Sequence, residues 1–222
     1  NENTSEDIYG MVLSSGVEGA IIMNESLKDE YIERISRTRL PMVFIDREHC
    51  DELISSVTVD NYSGAKLGME YLVAQGHKRI GYIHGIDNND EAERYRAYLD
   101  VLEKYNLPLE EEFVLNGEFE EIIAFNEICQ MMLRGKDLPD AFFCANDEMA
   151  WGCIRALSTA RISVPEQVSV LGFDNITLAE YYHPALTTVG NPVTELGTKS
   201  AKELLRLIRK EGDSMGRSVS LE

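Results

Sequence analysis

Four polar side chains in this chain, Asp46, Asn146, Asp174 and Asn191, each follow or end an apolar run. The runs cover residues 42–45, 141–145, 168–173 and 186–190. Carboxylates accept hydrogen bonds, and amides both donate and accept them, so these residue types suit a ligand rich in hydroxyl or N–H groups. In open α/β sheets, ligands bind in the crevice outside the carboxyl ends of the strands. The pattern therefore predicts a site that reads a small polar molecule.

The residues of covalent and metal chemistry do not gather in the same way. Cysteines 50, 129, 144 and 153 contain no C-x-x-C spacing, and histidines 49, 77, 84 and 183 are scattered. Cys144 and Cys153 lie in apolar runs and read as small buried hydrophobes. No clustered metal ligands, nucleophile elbow, Gly-x-Gly-x-x-Gly or phosphate loop is present. The expectation is a binding protein with no cofactor and no metal, not an enzyme.

Three further residues have competing readings. Arg94 sits among Glu91, Glu93 and Arg96, where spacing alone suggests a solvated helix charge with neighbours one turn away. Phe119 follows Gly117-Glu118 and reads as a core residue opening a helix. Phe173 reads as strand core, with a wall against a ligand as the alternative. Simple readings also exist for the first four: Asn146 and Asn191 as helix caps, Asp174 as a cap for 175–182, and Asp46 as a partner of Arg47.

The elements that would position these groups alternate. Strands are expected at 17–23, 41–46, 57–60, 79–84, 113–116, 141–145, 168–173 and 186–189, with the start of a last one at 217–222. Helices are expected at 27–38, 61–75, 90–105, 119–133, 147–160, 178–182 and 193–210. Gly76 is placed at the left-handed position after one helix and Gly212 after another. Ala201, Leu204, Leu205 and Ile208 are expected to form the buried face of 193–210. Alternation with unbroken apolar strands means parallel, doubly wound sheets covered on both faces. The segment 55–60 has no covering helix before it and is a candidate crossover between two lobes, with Asn191-Pro192 as the return. The expected division is 1–60 and 61–190, with 191–222 returning to the first lobe.

The chain has 222 residues, 44% hydrophobic, with a formal net charge of −18. That is ample for two cores and excludes a disordered chain. No apolar run is long enough to span a membrane. The charge makes these residues poor binders of nucleic acid by themselves.

Several segments together resemble the effector-binding core of the lactose/galactose-repressor (LacI/GalR) family of bacterial transcription regulators. They are Val59-Asp60-Asn61, Gly64-Ala65 with Gly68, Gly76-His77-Lys78-Arg79-Ile80-Gly81-Tyr82-Ile83, Glu93-Arg94, and Asn146-Asp147-Glu148-Met149-Ala150 with Gly152. Val164-Pro165, Val168-Ser169-Val170, Gly172-Phe173-Asp174 and Pro184-Ala185-Leu186-Thr187-Thr188-Val189 complete the set. The resemblance implies a periplasmic-binding-protein-like (type I) fold of two doubly wound lobes. It implies a small effector, with a carbohydrate favoured, held in the interlobe cleft by Arg94, Asp174, Asn146, Asp46 and Asn191, with Phe119 as an aromatic wall. It also implies a cytoplasmic homodimer. Family members carry a DNA-binding helix-turn-helix and a strand–helix–strand unit ahead of the segment matching 17–23. Both are missing here, so the expectation is a fragment with a truncated first lobe. Ala97 stands where glycine is common. A solute-binding protein of a sugar transporter is the alternative. Some members use a phosphocarrier co-regulator, and no residue here decides that.

Overall fold

A computed structural model describes residues 2–23, 27–135, 137–211 and 215–221. Two compact units form: residues 1–60 with 192–222, and residues 61–191. Among the described residues, no helix is long and apolar enough to cross a membrane.

The first unit is built on a four-stranded parallel sheet. Its strands are β1 (Ala20–Met23), β2 (Met42–Ile45), β3 (Ile54–Val59) and β9 (Ser218–Leu221), in the order β1-β2-β3-β9. Helix α1 (Glu2–Ser14) precedes β1, and α2 (Asp29–Ser36) connects β1 to β2. The helix α1 was not expected. Its first six residues are polar or acidic, and Ile8, Tyr9 and Val12 dock on the cluster of Ile22, Leu27, Ile32, Ile35, Phe44 and Ile54. So few apolar positions do not make a readable helical stripe.

The short strand expected at 57–60, in the candidate crossover 55–60, starts earlier, at Ile54. It is β3, fully parallel to β2 with Met42 opposite Ile54. Parallel neighbours usually need a covering helix between them. Here the loop 46–53 suffices, tied by Ser56 Oγ, which accepts from His49 N (2.7 Å) and donates to His49 O (2.8 Å).

Helix α7 (Val193–Arg209) returns to this sheet, and its buried face differs from the expected one. The buried residues are Leu196, Ser200, Glu203 and Leu207, while Ala201 and Leu205 are exposed. An acidic residue in the inward stripe hid the true face. Glu203 is only 3% exposed, and its carboxylate accepts from Ser55 Oγ on β3 (2.7 Å), from Arg206 (2.7 Å) and from Arg217 (2.9 Å). Burial alone would raise its pKa, but these hydrogen bonds hold it down at about 2. The cap of α7 also differs: Pro192, not Asn191, is the N-cap, and no side chain caps it. Lys210 takes the left-handed conformation at the C-terminal end (φ 54°), whereas the expected Gly212 lies outside the described residues.

The second unit is a five-stranded parallel sheet in the order β5-β4-β6-β7-β8. Its elements in chain order are α3 (Asn61–Ala74), β4 (Ile80–His84), α4 (Asn89–Lys104), β5 (Val114–Asn116), α5 (Glu121–Leu133), β6 (Ala141–Cys144), α6 (Asp147–Thr159), β7 (Ser169–Asp174) and β8 (Thr187–Gly190). Helix α3 packs on α4, and α5 on α6. All four residues of β6 are buried, as a central strand covered on both faces requires. Tyr82, Tyr98, Phe142, Phe143 and Phe173 fill the core, and the Tyr98 hydroxyl donates to Ile80 O (2.8 Å). Val168 and Leu186 fall outside the strands that were expected to include them, and a 3-10 turn, Thr177–Tyr181, replaces the short helix expected at 178–182.

Candidate ligand-binding site

Arg94 is not a solvated helix charge. It is 6% exposed, on the face of α4 that also buries Glu91, Ala97, Tyr98 and Val101. The outward neighbour, Arg96, makes the surface pair instead, with Glu93. Each edge of the Arg94 guanidinium has a partner. Nε donates to Asn61 Oδ1 (2.9 Å), Nη1 donates to Ala145 O, and Nη2 faces Asp174 Oδ1 at 3.6 Å. Its plane lies over the Phe173 ring, 3.9 Å from the centroid, within cation–π range. The group is thus held on three sides, and among the described residues Nη2 has no protein hydrogen bond.

Phe173, read as strand core with a ligand wall as the alternative, is 1% exposed and forms the shelf under Arg94. Asp174 ends β7 with φ 107°, a left-handed conformation that strains any residue with a Cβ. It caps nothing: the N-cap of the following turn is Ile176. Burial raises its pKa, while Arg94 and then Asn191 pull it back. Asn191, on the neighbouring strand end, donates through Nδ2 to Asp174 Oδ1 (3.3 Å), and its backbone N–H to Asp174 O (3.2 Å). Asn191 Oδ1 is buried with no hydrogen-bond partner among the described residues. Arg94, Asp174 and Asn191 therefore stand together at the carboxyl edge of the second sheet. They offer a donor edge, a carboxylate and an orphan acceptor.

Asn146 and Phe119 form a neighbouring pair. Asn146 Oδ1 caps α6 by accepting from Met149 N (2.8 Å), and Nδ2 donates to Phe119 O (3.2 Å). Both ends of that amide already serve the protein. Glu118 and Phe119 are both left-handed (φ 53° and 63°), which delays α5 to Glu121, two residues beyond the expected start. Costly conformations of this kind concentrate at functional sites. The Phe119 ring lies against Gly85, where a Cβ would come within 2.1 Å of it, so only glycine fits.

Asp46 belongs to the first unit, at the carboxyl end of β2. It is left-handed (φ 57°), and its N–H donates to Val57 O (3.1 Å). Arg47, its simplest partner from sequence, turns instead to Asp29 and Leu27 O.

Two residues matter more than the sequence suggested. Asn61, named above only within the Val59-Asp60-Asn61 segment, orients Arg94. Asp147, named above only within the segment 146–150, is wholly buried. Its carboxylate accepts from the Thr188 hydroxyl and from Ile176 N (2.8 Å), pinning the turn after Asp174. A Cβ on residue 172 would sit 2.2 Å from Asp147 Oδ1, so Gly172 makes room for that contact.

Burial lifts Asp147 from 3.8 to about 6, against the hydrogen bonds from Thr188 and Ile176. In the pH window between those values the folded chain keeps a proton that the unfolded chain has released. Stability therefore falls as pH rises from about 4 to 6, by on the order of 3 kcal/mol, and is level above. Asp147→Asn should flatten this limb. Urea unfolding from pH 4 to 8 measures it, and an unchanged slope would rule Asp147 out as its source.

A family profile described as a periplasmic binding protein-like domain matches residues 69–221. The chain belongs to that family. Its similarity within it is to transcriptional regulators. It is 33% identical to the HTH-type transcriptional repressor PurR of Actinobacillus pleuropneumoniae serotype 3 (strain JL03), over 90% of this chain and 59% of the repressor. Among solved structures, the transcriptional regulator CelR–cellobiose complex is similar at a TM-score of 0.86 and 28% identity, covering 98% of this chain and 67% of that one. A LacI family transcriptional regulator from Enterococcus faecium with bound ribose is similar at 0.84 and 26%, covering 98% and 81%. The chain spans about three fifths of the length of the first curated relatives it matches.

Proposed function

We propose that this chain is the ligand-sensing core of a bacterial, cytoplasmic transcriptional regulator of the LacI type, and not an enzyme. The observation that carries the reading is Arg94, fixed on three sides, beside Asp174 and the orphan Asn191 acceptor. One donor edge and two acceptors suit an uncharged molecule with adjacent hydroxyls. An anionic effector would face Asp174 and buried Asp147 with Arg94 as the nearby base. A carbohydrate is therefore the favoured effector, in keeping with the cellobiose and ribose named for similar regulators. Asn146, Phe119 and Asp46 belong to the proposed contacts by their places beside strand ends. The similarity to repressors favours a regulator over a transporter's solute-binding protein. DNA recognition is assigned to the part of such regulators that this chain does not span.

The test is a thermal-shift screen against sugars such as cellobiose and ribose, sugar phosphates and purines. A ligand at 100 times its Kd should add about 2.7 kcal/mol of stability. Arg94→Lys should weaken any hit about tenfold or more, because a point charge cannot keep the fork's hydrogen bonds to Asn61 and Ala145 while offering a further edge. An unweakened hit would place the effector elsewhere.

A homodimer is part of the proposal. The Glu121–Arg155 ion pair and the Trp151–Tyr182 stack (4.2 Å) set the start of α5, helix α6 and the 177–181 turn side by side. Ile122, Leu178 and Tyr181 are 55%, 60% and 69% exposed there. Exposed large apolar side chains gathered on neighbouring elements suit an association surface. Tyr181→Glu should lower the sedimentation coefficient to that of a monomer; a wild type that is itself monomeric at high concentration would dismiss the idea.

A further inference from the structure

The chain passes between the two units twice, after residue 60 and after residue 191. The second-unit residue at each crossing is an asparagine, and each asparagine grips one half of the charged pair. Asn61, 6% exposed, opens α3; its Oδ1 accepts from Arg94 Nε (2.9 Å), and its Nδ2 donates to Asp90 Oδ1 (3.1 Å). Asn191 closes the unit; its side chain and its backbone N–H both donate to Asp174. Neither crossing is loose on the first-unit side: Asp60 N donates to Leu221 O (2.8 Å), and Leu196 N to Pro192 O (2.9 Å).

We propose that Asn61 and Asn191 are positioning residues that tie the effector-binding pair to the two crossings, Asn61 through Arg94 and Asn191 through Asp174. The proposal rests on the effector reading of that pair. A ligand hydroxyl donating to Asn191 Oδ1 satisfies a buried acceptor whose isolation is costly. The same amide then holds Asp174 through Nδ2, so ligand, carboxylate and crossing become one hydrogen-bonded unit. Arg94 has no comparable freedom, because Asn61, Ala145 O and the Phe173 face already fix it. The two crossings are thereby coupled to different halves of the site, and perturbing one half should be felt at one crossing.

Hydrogen–deuterium exchange on the chain tests this without any ligand. Arg94→Met should speed exchange in peptides covering 59–65 by about fivefold, the factor carried by one hydrogen bond, and leave 188–194 unchanged. Asp174→Asn should do the reverse. Asn61→Ala, which removes both the acceptor for Arg94 and the donor to Asp90, should speed exchange around residues 90–97. Peptides of α5 report general destabilisation, which a merely structural role would produce everywhere. Both variants moving both crossings equally, or neither moving its own, overturns the proposal. The thermal-shift screen judges the effector reading separately. A screen without hits combined with the paired exchange pattern would retain the coupling and reject the effector.

Discussion

Asp174→Gly gives a chain that melts higher than the wild type and no longer responds to its effector. Both halves of that result follow from the same geometry. A φ of 107° is open to glycine and strained for aspartate, and burial opposes the charged carboxylate. Removing the side chain relieves both costs and should gain about 1 kcal/mol. The side chain is still 29% exposed, so water can reach the Arg94 and Asn191 groups left behind. Binding loses hydrogen bonds to a charged group worth about 1.5–3 kcal/mol each, so affinity should fall about a hundredfold or more. Asp174→Ala, which keeps a Cβ in the strained conformation, should lose binding equally without the gain in stability. Calorimetry and melting curves read the two effects independently. Retained affinity in either variant would remove Asp174 from the site.

The second large effect is on the first unit. Glu203→Ala should destabilise it by about 3–5 kcal/mol, since deleting one partner of a buried ion pair leaves the others uncompensated. Arg206, with 15% of its side chain exposed, and the buried Ser55 hydroxyl would both lose their shared acceptor. That is a large part of a typical stability of about 5–15 kcal/mol. The pH dependence has the opposite sign to that of Asp147. Glu203 is held at about 2, so its contribution is complete above pH 4.5 and disappears as pH falls toward 2. Urea unfolding should show a first-unit transition moving to lower denaturant while the second unit keeps its midpoint. A loss below about 1 kcal/mol would mean that the network is no better than a surface pair.

The parallel α/β character was legible because strands such as β6 and β7, covered on both faces, must be apolar without interruption. Elements that depend on a few contacts were not. The helix α1 docks with sparse apolar residues, and of β3 only the end was legible, as the strand expected at 57–60, because no helix announces a parallel neighbour before it. The face of α7 was misjudged because Glu203 is charged, and nothing local shows that Ser55, Arg206 and Arg217 converge on it. In the site, strand-end placement pointed to Asp174 and Asn191. It could not show that Arg94 turns inward, since Glu91, Glu93 and Arg96 offer ordinary surface partners. Nor could spacing reveal that Asn61 and Asp147, both at helix starts, are buried supports of that arginine and of the turn after Asp174.

The first unit is discontinuous, since its β9 and α7 arrive only after residues 61–191. This has a consequence for how the chain emerges from the ribosome. The second unit is one uninterrupted stretch and can fold as soon as it is synthesised. The first cannot close its sheet until the last segment is made, and its β3 edge stays open to stray pairing in the meantime. Folding the inserted unit first brings residues 60 and 192 together. That shortens the effective loop between β3 and β9 and lowers the entropy of closing it. Birth order and stability of the inserted unit therefore set the yield of the other. A destabilised second unit should appear in cells first as aggregation through the unfinished sheet of its neighbour.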